Sequence, residues 1–445
     1  MENNVKTPRR IAQTIINSLK GGVVPRIGLP YITVGRRKEI EAMLHDVDLV
    51  GEGGASFRFI VGKYGSGKSF LLQTLRNYVM DKGFVVVDAD LSPERRLHGN
   101  QGQGLATYRE LIRNLSVKSK PDGGALTMVL DKWISTVQTQ VAADGTPMDS
   151  PDFTSRVEQR IMAVIRQMHE LVHGFDFARL LTLYYRAFTD GDDELKGKVL
   201  KWFRGEYTTK TEARQELGVT VIISDDDWYD YLKLMAYFFR QAGYQGLMIF
   251  IDELVNIYKI PNSISRQYNY EKILTMYNDA LQGKAQYIGT VMSGTPQCIE
   301  DRHRGIYSYE ALRSRLQEGK FATADGKQDL LGPVLRLQPL THEEMLVLTE
   351  KLADIHAQLY GYPRTITDED LSMFIRIEYG RIGADQNITP REVIRDFIEL
   401  LDIIYQNPDT DIKTLLESDT FSYAKPEAEE RQQNTVSDQF AEFTI

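Results

Sequence analysis

Residues 62–69 read Gly-Lys-Tyr-Gly-Ser-Gly-Lys-Ser, a complete phosphate-binding loop of the form G-x-x-x-x-G-K-S/T. The loop follows an apolar run that ends at Val61, and the residues after it have the apolar spacing of a helix. A buried strand, a glycine-rich loop and a helix in this order predict an α/β fold in which the loop binds a nucleotide.

Each residue type in the loop suits a contact that a nucleotide phosphate needs. Glycines allow backbone N–H groups to approach phosphate oxygens, and the N-terminus of the following helix favours negative charge. Lys68 is expected to bind the β and γ phosphates, and the Ser69 hydroxyl is expected to bind Mg²⁺. The predicted ATP-binding residues of the loop are Gly62, Lys63, Tyr64, Gly65, Ser66, Gly67, Lys68, Ser69 and Phe70.

Composition limits the other possibilities. The chain has 445 residues, of which 42% are apolar, so about two or three domains with a large core are expected. The single cysteine, Cys298, excludes an internal disulfide framework and fits a reducing compartment. No signal peptide and no apolar run of about 20 residues is evident, so the sequence predicts a cytoplasmic protein that does not bind a membrane.

A second strong motif follows the apolar run at residues 247–251, where the chain continues as Asp252-Glu253. Strands that are buried on both faces of a parallel sheet read as continuous apolar runs, and ligands bind beyond their carboxyl ends. Asp252 is therefore expected to hold Mg²⁺, and Glu253 is expected to activate the attacking water as a catalytic residue. A further strand at residues 287–292 ends in Ser293-Gly294-Thr295, where Thr295, or alternatively Ser293, can reach the γ-phosphate or the water.

Several arginines resemble functional positions of AAA+ ATPases. Val34-Gly35-Arg36 resembles the segment that covers adenine in AAA+ proteins of the origin-recognition and transposition type. Arg315, with Arg313 as its substitute, resembles the arginine finger that one subunit presents to its neighbour's nucleotide. Arg391, which follows Thr389-Pro390, resembles the lid arginine that senses nucleotide. The resemblance implies a homo-oligomer.

Longer segments resemble the BrxD family of ATP-binding proteins from BREX bacteriophage-defence systems. The resemblance covers residues from about 7 to 405 and implies an AAA+-like ATPase with a helical insertion, acting in phage restriction beside a helicase partner. The segments that carry it, besides those above, are Val24-Pro25-Arg26, residues 91–99 and residues 210–214.

The domain organisation follows from these motifs and from the pattern of helices. An AAA+-like parallel sheet core is interrupted by a helical insertion and followed by a C-terminal helical lid. The predicted division is 1–116 for the first part of the core, 117–227 for the insertion, 228–340 for the rest of the core, 341–407 for the lid and 408–445 for a polar tail. Phe440 and Phe443 in the tail either offer a docking point for a partner or belong to a frayed terminus, which is the main expectation.

The insertion contains a basic segment that suggests contact with DNA, although the chain as a whole carries a net charge of −9. Three aromatic residues, Trp202, Phe203 and Tyr207, are interleaved with the charges, a mixture that suits phosphate contacts together with base stacking. A solvated helix face is the alternative interpretation. The basic residues are Lys196, Lys198, Lys201, Arg204, Lys210 and Arg214.

Residues 169–173 read His-Glu-Leu-Val-His, which matches the H-E-x-x-H signature of zinc peptidases. His169 and His173 would bind zinc, with Glu170 as the base, if the segment were one helix facing an open site. No third histidine follows at a suitable spacing, and on a helical wheel the two histidines lie on the flank of the predicted buried stripe while Glu170 points away from that stripe. The main hypothesis from the whole sequence is a Mg²⁺-dependent AAA+ ATPase that remodels or licenses a defence complex. Two alternatives remain open: a nucleotide-gated DNA-binding scaffold with slow hydrolysis, and a zinc peptidase.

Overall fold

The structure is a computed structural model that describes residues 6–166, 173–317, 329–380 and 389–417. Its contacts divide the chain into two compact units. One unit comprises the described parts of residues 1–37, 64–73 and 338–445, and the other comprises the described parts of residues 38–63 and 74–337.

The second unit is built on a five-stranded parallel sheet with the order β2-β3-β4-β1-β5. In four of the strands most residues are buried, which is typical of a parallel sheet covered on both faces, although β1 and β4 include the buried polar residues Arg58 and Thr290. Strand β4 lies between the acidic strand β3 and the strand β1 that leads into the phosphate loop. The strands are β1 (Ala55–Val61), β2 (Val85–Asp90), β3 (Leu247–Asp252), β4 (Ile288–Gly294) and β5 (Val334–Arg336).

Helices account for most of the remaining described chain, and the α/β class with a parallel sheet, predicted from the sequence, is confirmed. In chain order they are α1 (Arg9–Lys20), α2 (Leu29–Ile32), α3 (Arg37–Gly51), α4 (Lys68–Asp81), α5 (Gln103–Arg113), α6 (Leu126–Ala143), α7 (Phe153–Arg166), α8 (Gly174–Asp190), α9 (Asp193–Phe203), α10 (Lys210–Leu217), α11 (Trp228–Gln241), α12 (Val255–Tyr258), α13 (Ser263–Leu281), α14 (Pro296–Glu300), α15 (Glu310–Leu316), α16 (His342–Tyr360), α17 (Asp368–Tyr379), α18 (Pro390–Gln406) and α19 (Ile412–Glu417).

The inserted helices α6 to α10 do not form a core of their own. Their buried residues, such as Trp133 and Phe177, belong to the same apolar cluster as the sheet residues Val85 and Ile249. One polar group inside this cluster, the Tyr108 hydroxyl, donates to the carbonyl oxygen of Phe203 at 2.8 Å. The insertion is thus packed onto the sheet as part of one core.

The first unit has a separate apolar core formed by α1, α2 and the helices from α16 to α19. Residues 6–37 therefore share a core with the C-terminal helices, although the sequence-based division assigned them to the sheet domain. The reason is the amphipathic pattern of α1, whose buried residues Ala12, Ile15 and Ile16 lie in this core. The proposed domain boundaries stay a prediction.

Among the residues that the structure describes, no helix combines the length and the apolar character that crossing a membrane requires.

Candidate active site

The phosphate loop begins where β1 ends. The backbone N–H of Gly62 donates to the carbonyl oxygen of Gly294 in β4 at 3.2 Å, which anchors the start of the loop to the sheet. Gly65 and Gly67 have φ angles of +72° and +91°, which L side chains rarely adopt. At Gly65 a Cβ would also lie 2.5 Å from the Cβ of Thr389, so this position has neither the conformation nor the space for a side chain.

Helix α4 begins at Lys68, so its N-terminal N–H groups follow the loop directly. The Ser66 hydroxyl is buried and has no hydrogen-bond partner among the described residues. A buried polar group without a partner costs free energy, and a ligand with acceptor oxygens would satisfy it. The loop therefore fits a bound phosphate group.

Two of the predicted arginines lie at this loop, within the same compact unit. The Nη2 atom of Arg36 donates to the carbonyl oxygen of Ser66 at 3.2 Å. Arg391 lies at the start of α18, which the Thr389–Glu392 capping box and Pro390 begin. Its Nη1 atom donates to the Tyr64 hydroxyl at 3.1 Å. The direct contact of either arginine with nucleotide stays a prediction.

The carboxyl ends of β2, β3 and β4 carry the acidic group of the second unit. Asp252 accepts a hydrogen bond from the Ser293 hydroxyl and another, at 2.8 Å, from the backbone N–H of Glu253. Ser293 is fully buried in β4, beside the acidic strand. Thr295 instead lies with its hydroxyl 3.0 Å from the Cys298 sulfur. Of the two residues that the sequence offered, Ser293 is the one in contact with the acidic strand.

Glu253 is exposed and has a φ angle of +63°. A non-glycine residue in this conformation is strained by about 1 kcal/mol or more, and such strain is concentrated at functional sites. The turn places Glu253 at the carboxyl end of the sheet. The backbone N–H of Glu253 donates a hydrogen bond to the Asp252 carboxylate.

Asp90, which sequence analysis did not single out, lies opposite Asp252 in the β2–β3 register. Burial, together with the negative charges of Asp252 and Asp88, raises the pKa of Asp90 above its usual value. A cation at this edge would relieve that repulsion. Within the described part of the chain no group of three or more histidine, cysteine or carboxylate residues has the arrangement of a metal site, so these acids alone do not form one.

The candidate finger arginines are both in α15. Arg313 pairs with Glu310 at 2.5 Å, one turn away, and Arg315 donates from Nη1 to the carbonyl oxygen of Ala311 at 2.6 Å. The side chain of Arg315 is exposed, whereas its neighbours Leu312 and Leu316 are buried. The helix therefore presents Arg315 on its outer face.

The basic segment of the insertion differs from the surface expected for base stacking. Its aromatic residues Trp202, Phe203 and Tyr207 are at most 2% exposed, because they pack in the core and cannot stack on bases. Three of its lysines are paired with carboxylates. The pairs are Lys196–Asp131, Lys198–Glu194 and Lys201–Glu212.

The backbone of His173, the last residue of the H-E-x-x-H segment, is not helical. Its backbone is left-handed, with φ of +65°, and α8 begins at the next residue. Its ring stacks on Tyr231 with a centroid distance of 5.1 Å, and its Nε2 lies 3.4 Å from the Asp227 carboxylate. His169 and Glu170 lie outside the described residues, as do Phe440 and Phe443 of the tail.

Comparison with known proteins gives one family. The family model described as BREX system ATP-binding protein BrxC/D matches residues 7–420. No curated protein matches the chain. One similar solved structure is domain III of the replication initiation protein DnaA from Thermotoga maritima, with 14% identity and a TM-score of 0.37; the match covers 90% of this chain and 98% of that chain. Another is the ORC2 protein of Aeropyrum pernix in ADPNP-ADP complexes, with 12% identity and a TM-score of 0.41; the match covers 89% of this chain and 70% of that chain.

Proposed function

The chain belongs to the family of BREX system ATP-binding proteins BrxC/D, and from this premise we propose that it is a Mg²⁺-dependent ATPase that remodels or licenses a DNA-associated defence complex. The finer assignment to the BrxD type, the cytoplasmic location and the helicase partner are parts of the same proposal. They are supported by the sequence segments that resemble BrxD proteins.

The observation that carries this proposal is the construction of the phosphate loop. Two left-handed glycines, a helix that begins at Lys68 and a buried Ser66 hydroxyl without a described partner together suit a polyphosphate ligand. Lys68 is proposed to neutralise the charge on the β and γ phosphates, and Arg36 and Arg391 to contact the nucleotide from the N-terminal and lid segments.

Hydrolysis is assigned to the acidic end of β3. In this proposal Glu253 orients the attacking water and accepts its proton, while the buried Ser293 hydroxyl holds the Asp252 carboxylate in place. Ser69 and Asp252 would hold Mg²⁺, which supplies positive charge to the phosphate oxygens. Thr295, whose hydroxyl contacts Cys298, remains a second candidate for contact with the γ-phosphate.

The site is proposed to be completed by a neighbouring subunit of a homo-oligomer. Arg315 is the candidate finger because it is exposed on α15, and Arg313 is its substitute. A guanidinium at the γ-phosphate stabilises the charge that develops during phosphoryl transfer. ATP turnover would then depend on assembly.

The test separates binding from hydrolysis. Lys68→Ala should abolish binding of a fluorescent ATP analogue, while Glu253→Gln should bind it within a few-fold of the parent and hydrolyse ATP about 100-fold or more slowly. Matched controls are Lys82→Ala, which removes a lysine just after α4, and Glu300→Gln, which neutralises an exposed glutamate. Parental turnover by Glu253→Gln would show that the catalytic assignment is wrong.

A further inference from the structure

An exposed surface that includes three cations lies around the first two turns of α13, and we call it the α13 surface. It is formed by His98, Lys259, Ile264, Tyr268, Arg302 and Arg304. These residues come from α13 and from three segments that follow β2, β3 and β4, all of which leave the sheet at its carboxyl edge. The surface therefore belongs to the second compact unit and is built on the same sheet edge as Asp252.

Buried polar contacts fix the segments that flank α13. The Asn269 side chain is fully buried and accepts hydrogen bonds from the backbone N–H groups of Leu97 and His98 at 2.9 and 3.0 Å. The same amide donates to the carbonyl oxygen of His98 at 3.1 Å. On the other side of the helix, the Tyr270 hydroxyl donates to the carbonyl oxygen of Arg304 at 2.5 Å. Both loops are thus held in place before any partner binds.

The ridge between these loops is apolar and aromatic. Ile264 and Tyr268 are one turn apart on α13 and are 62% and 46% exposed. The ring of His98 lies against Tyr268 at a centroid distance of 5.1 Å. An exposed tyrosine supported by a second ring offers a platform for a planar ligand.

Cations and carboxylates both lie around this ridge. Lys259, Arg302 and Arg304 are exposed, and the Arg304 guanidinium lies 5.4 Å from the centre of the Tyr258 ring. The neighbouring Asp301 carboxylate accepts hydrogen bonds from the Tyr258 hydroxyl and from the backbone N–H groups of His303 and Arg304. Glu94 accepts a hydrogen bond from the Ser92 hydroxyl, and Glu271 lies one turn further along α13. The three exposed cations would supply the positive charge that contacts with a polyanion need.

We propose that the α13 surface binds single-stranded nucleic acid. Lys259, Arg302 and Arg304 contact backbone phosphates, and an unpaired base stacks on Tyr268. The combination of exposed cations with an exposed ring favours a nucleic-acid strand over an acidic protein segment, which would need the cations alone. This inference goes beyond the proposed ATPase activity and does not depend on hydrolysis. It also differs from the insertion, where the aromatic residues are buried and three lysines are paired.

The experiment measures the binding of a fluorescein-labelled 40-nucleotide single strand of mixed sequence to the full chain over a series of salt concentrations. The double variant Lys259→Glu/Arg302→Glu should bind more weakly, with a salt dependence shallower by about one to two units, because about 0.7 counterions are released per phosphate contact. Tyr268→Ala should weaken binding about five-fold or more through the loss of stacking.

The matched control is Lys198→Glu/Lys201→Glu in the insertion, which makes the same change in charge and should leave binding within about two-fold of the parent. Circular dichroism identifies any variant that fails to fold, and Lys259→Gln/Arg302→Gln then provides a milder substitute with the same expected direction. The proposal is overturned if the parent binds no strand, if the insertion pair weakens binding and the α13 pair does not, or if the α13 pair changes only the binding of an acidic peptide. ATP binding of each variant, measured separately, distinguishes this failure from failure of the ATPase assignment.

Discussion

The guanidinium of Arg391 lies 5.0 Å from the centre of the Tyr64 ring, and its Nη1 atom donates to the Tyr64 hydroxyl at 3.1 Å. Tyr64 is a variable position of the phosphate-loop motif, whereas Arg391 begins helix α18, more than 300 residues later in the chain. The pair links the loop to the C-terminal helices within one compact unit. Tyr64 thereby holds the side chain of Arg391 in place.

The first prediction concerns this pair. Tyr64→Ala removes both the ring and the hydroxyl that hold Arg391, and we expect it to weaken the binding of a fluorescent ATP analogue about two- to ten-fold. Tyr64→Phe keeps the cation–π contact and should give an intermediate loss. In an Arg391→Ala background neither substitution should have a further effect, because the partner is gone. Additive losses in the double variants would show that the two residues act separately.

The second prediction concerns the proposed site between subunits. Arg315→Ala and Lys68→Ala should each reduce ATP turnover about a thousand-fold or more, because one lacks the finger and the other the phosphate-binding lysine. A mixture of the two proteins should regain activity, since some interfaces then combine an intact loop with an intact finger. Arg395→Ala, which removes a partly buried arginine from α18, is the control. Full activity of Arg315→Ala alone would reject the shared site.

The third prediction concerns zinc. We expect elemental analysis of the purified protein to find no stoichiometric zinc, because His173 lies in a left-handed turn with its ring on Tyr231 rather than on a helix facing a metal. Chelator treatment should leave the unfolding temperature unchanged. One zinc per chain that is lost in His169→Ala would contradict this expectation.

The fourth prediction concerns pH and the buried His356 of α16. Its Nδ1 lies 2.8 Å from the Tyr362 hydroxyl and its Nε2 lies 3.1 Å from Asp402, which also pairs with Lys20 at 2.5 Å. Burial lowers the pKa of His356, with Asp402 opposing and Lys20 adding to the effect. Because the unfolded chain then binds the proton more readily, the stability contributed by neutral His356 is complete above its unfolded pKa of about 6.5 and is lost as pH falls below it.

The measurement is the urea midpoint at pH 5.5 and 7.5. His356→Gln should reduce the free energy of unfolding by about 1–3 kcal/mol at pH 7.5. It should also reduce the difference in this free energy between pH 5.5 and pH 7.5. His45→Gln, at an exposed position of α3, should leave both unchanged. An unaltered pH difference in His356→Gln would remove His356 as its source.

Local pattern was enough to predict three of the strands. The apolar runs that end at Val61, Ile251 and Met292 correspond to β1, β3 and β4 within about two residues, because strands buried on both faces are rich in apolar residues. The long helical segment after Gly124 was also predictable, because the 3.6-residue apolar period of a helix is a local property of the sequence. The loop glycines follow from the phosphate chemistry and have the expected left-handed backbone at Gly65 and Gly67.

What the sequence by itself determined is therefore the fold class, the phosphate loop and the acidic strand end, each of which is encoded by neighbouring residues. The tertiary structure alone decided which distant side chains meet: Ser293 on Asp252, Asp90 opposite Asp252, and Arg391 on Tyr64. It also decided that Trp202 and Phe203 are buried rather than available to bases. The physical reason is that strand order, register and core packing are set by contacts between residues far apart in the chain, which no local period of charge or apolarity specifies.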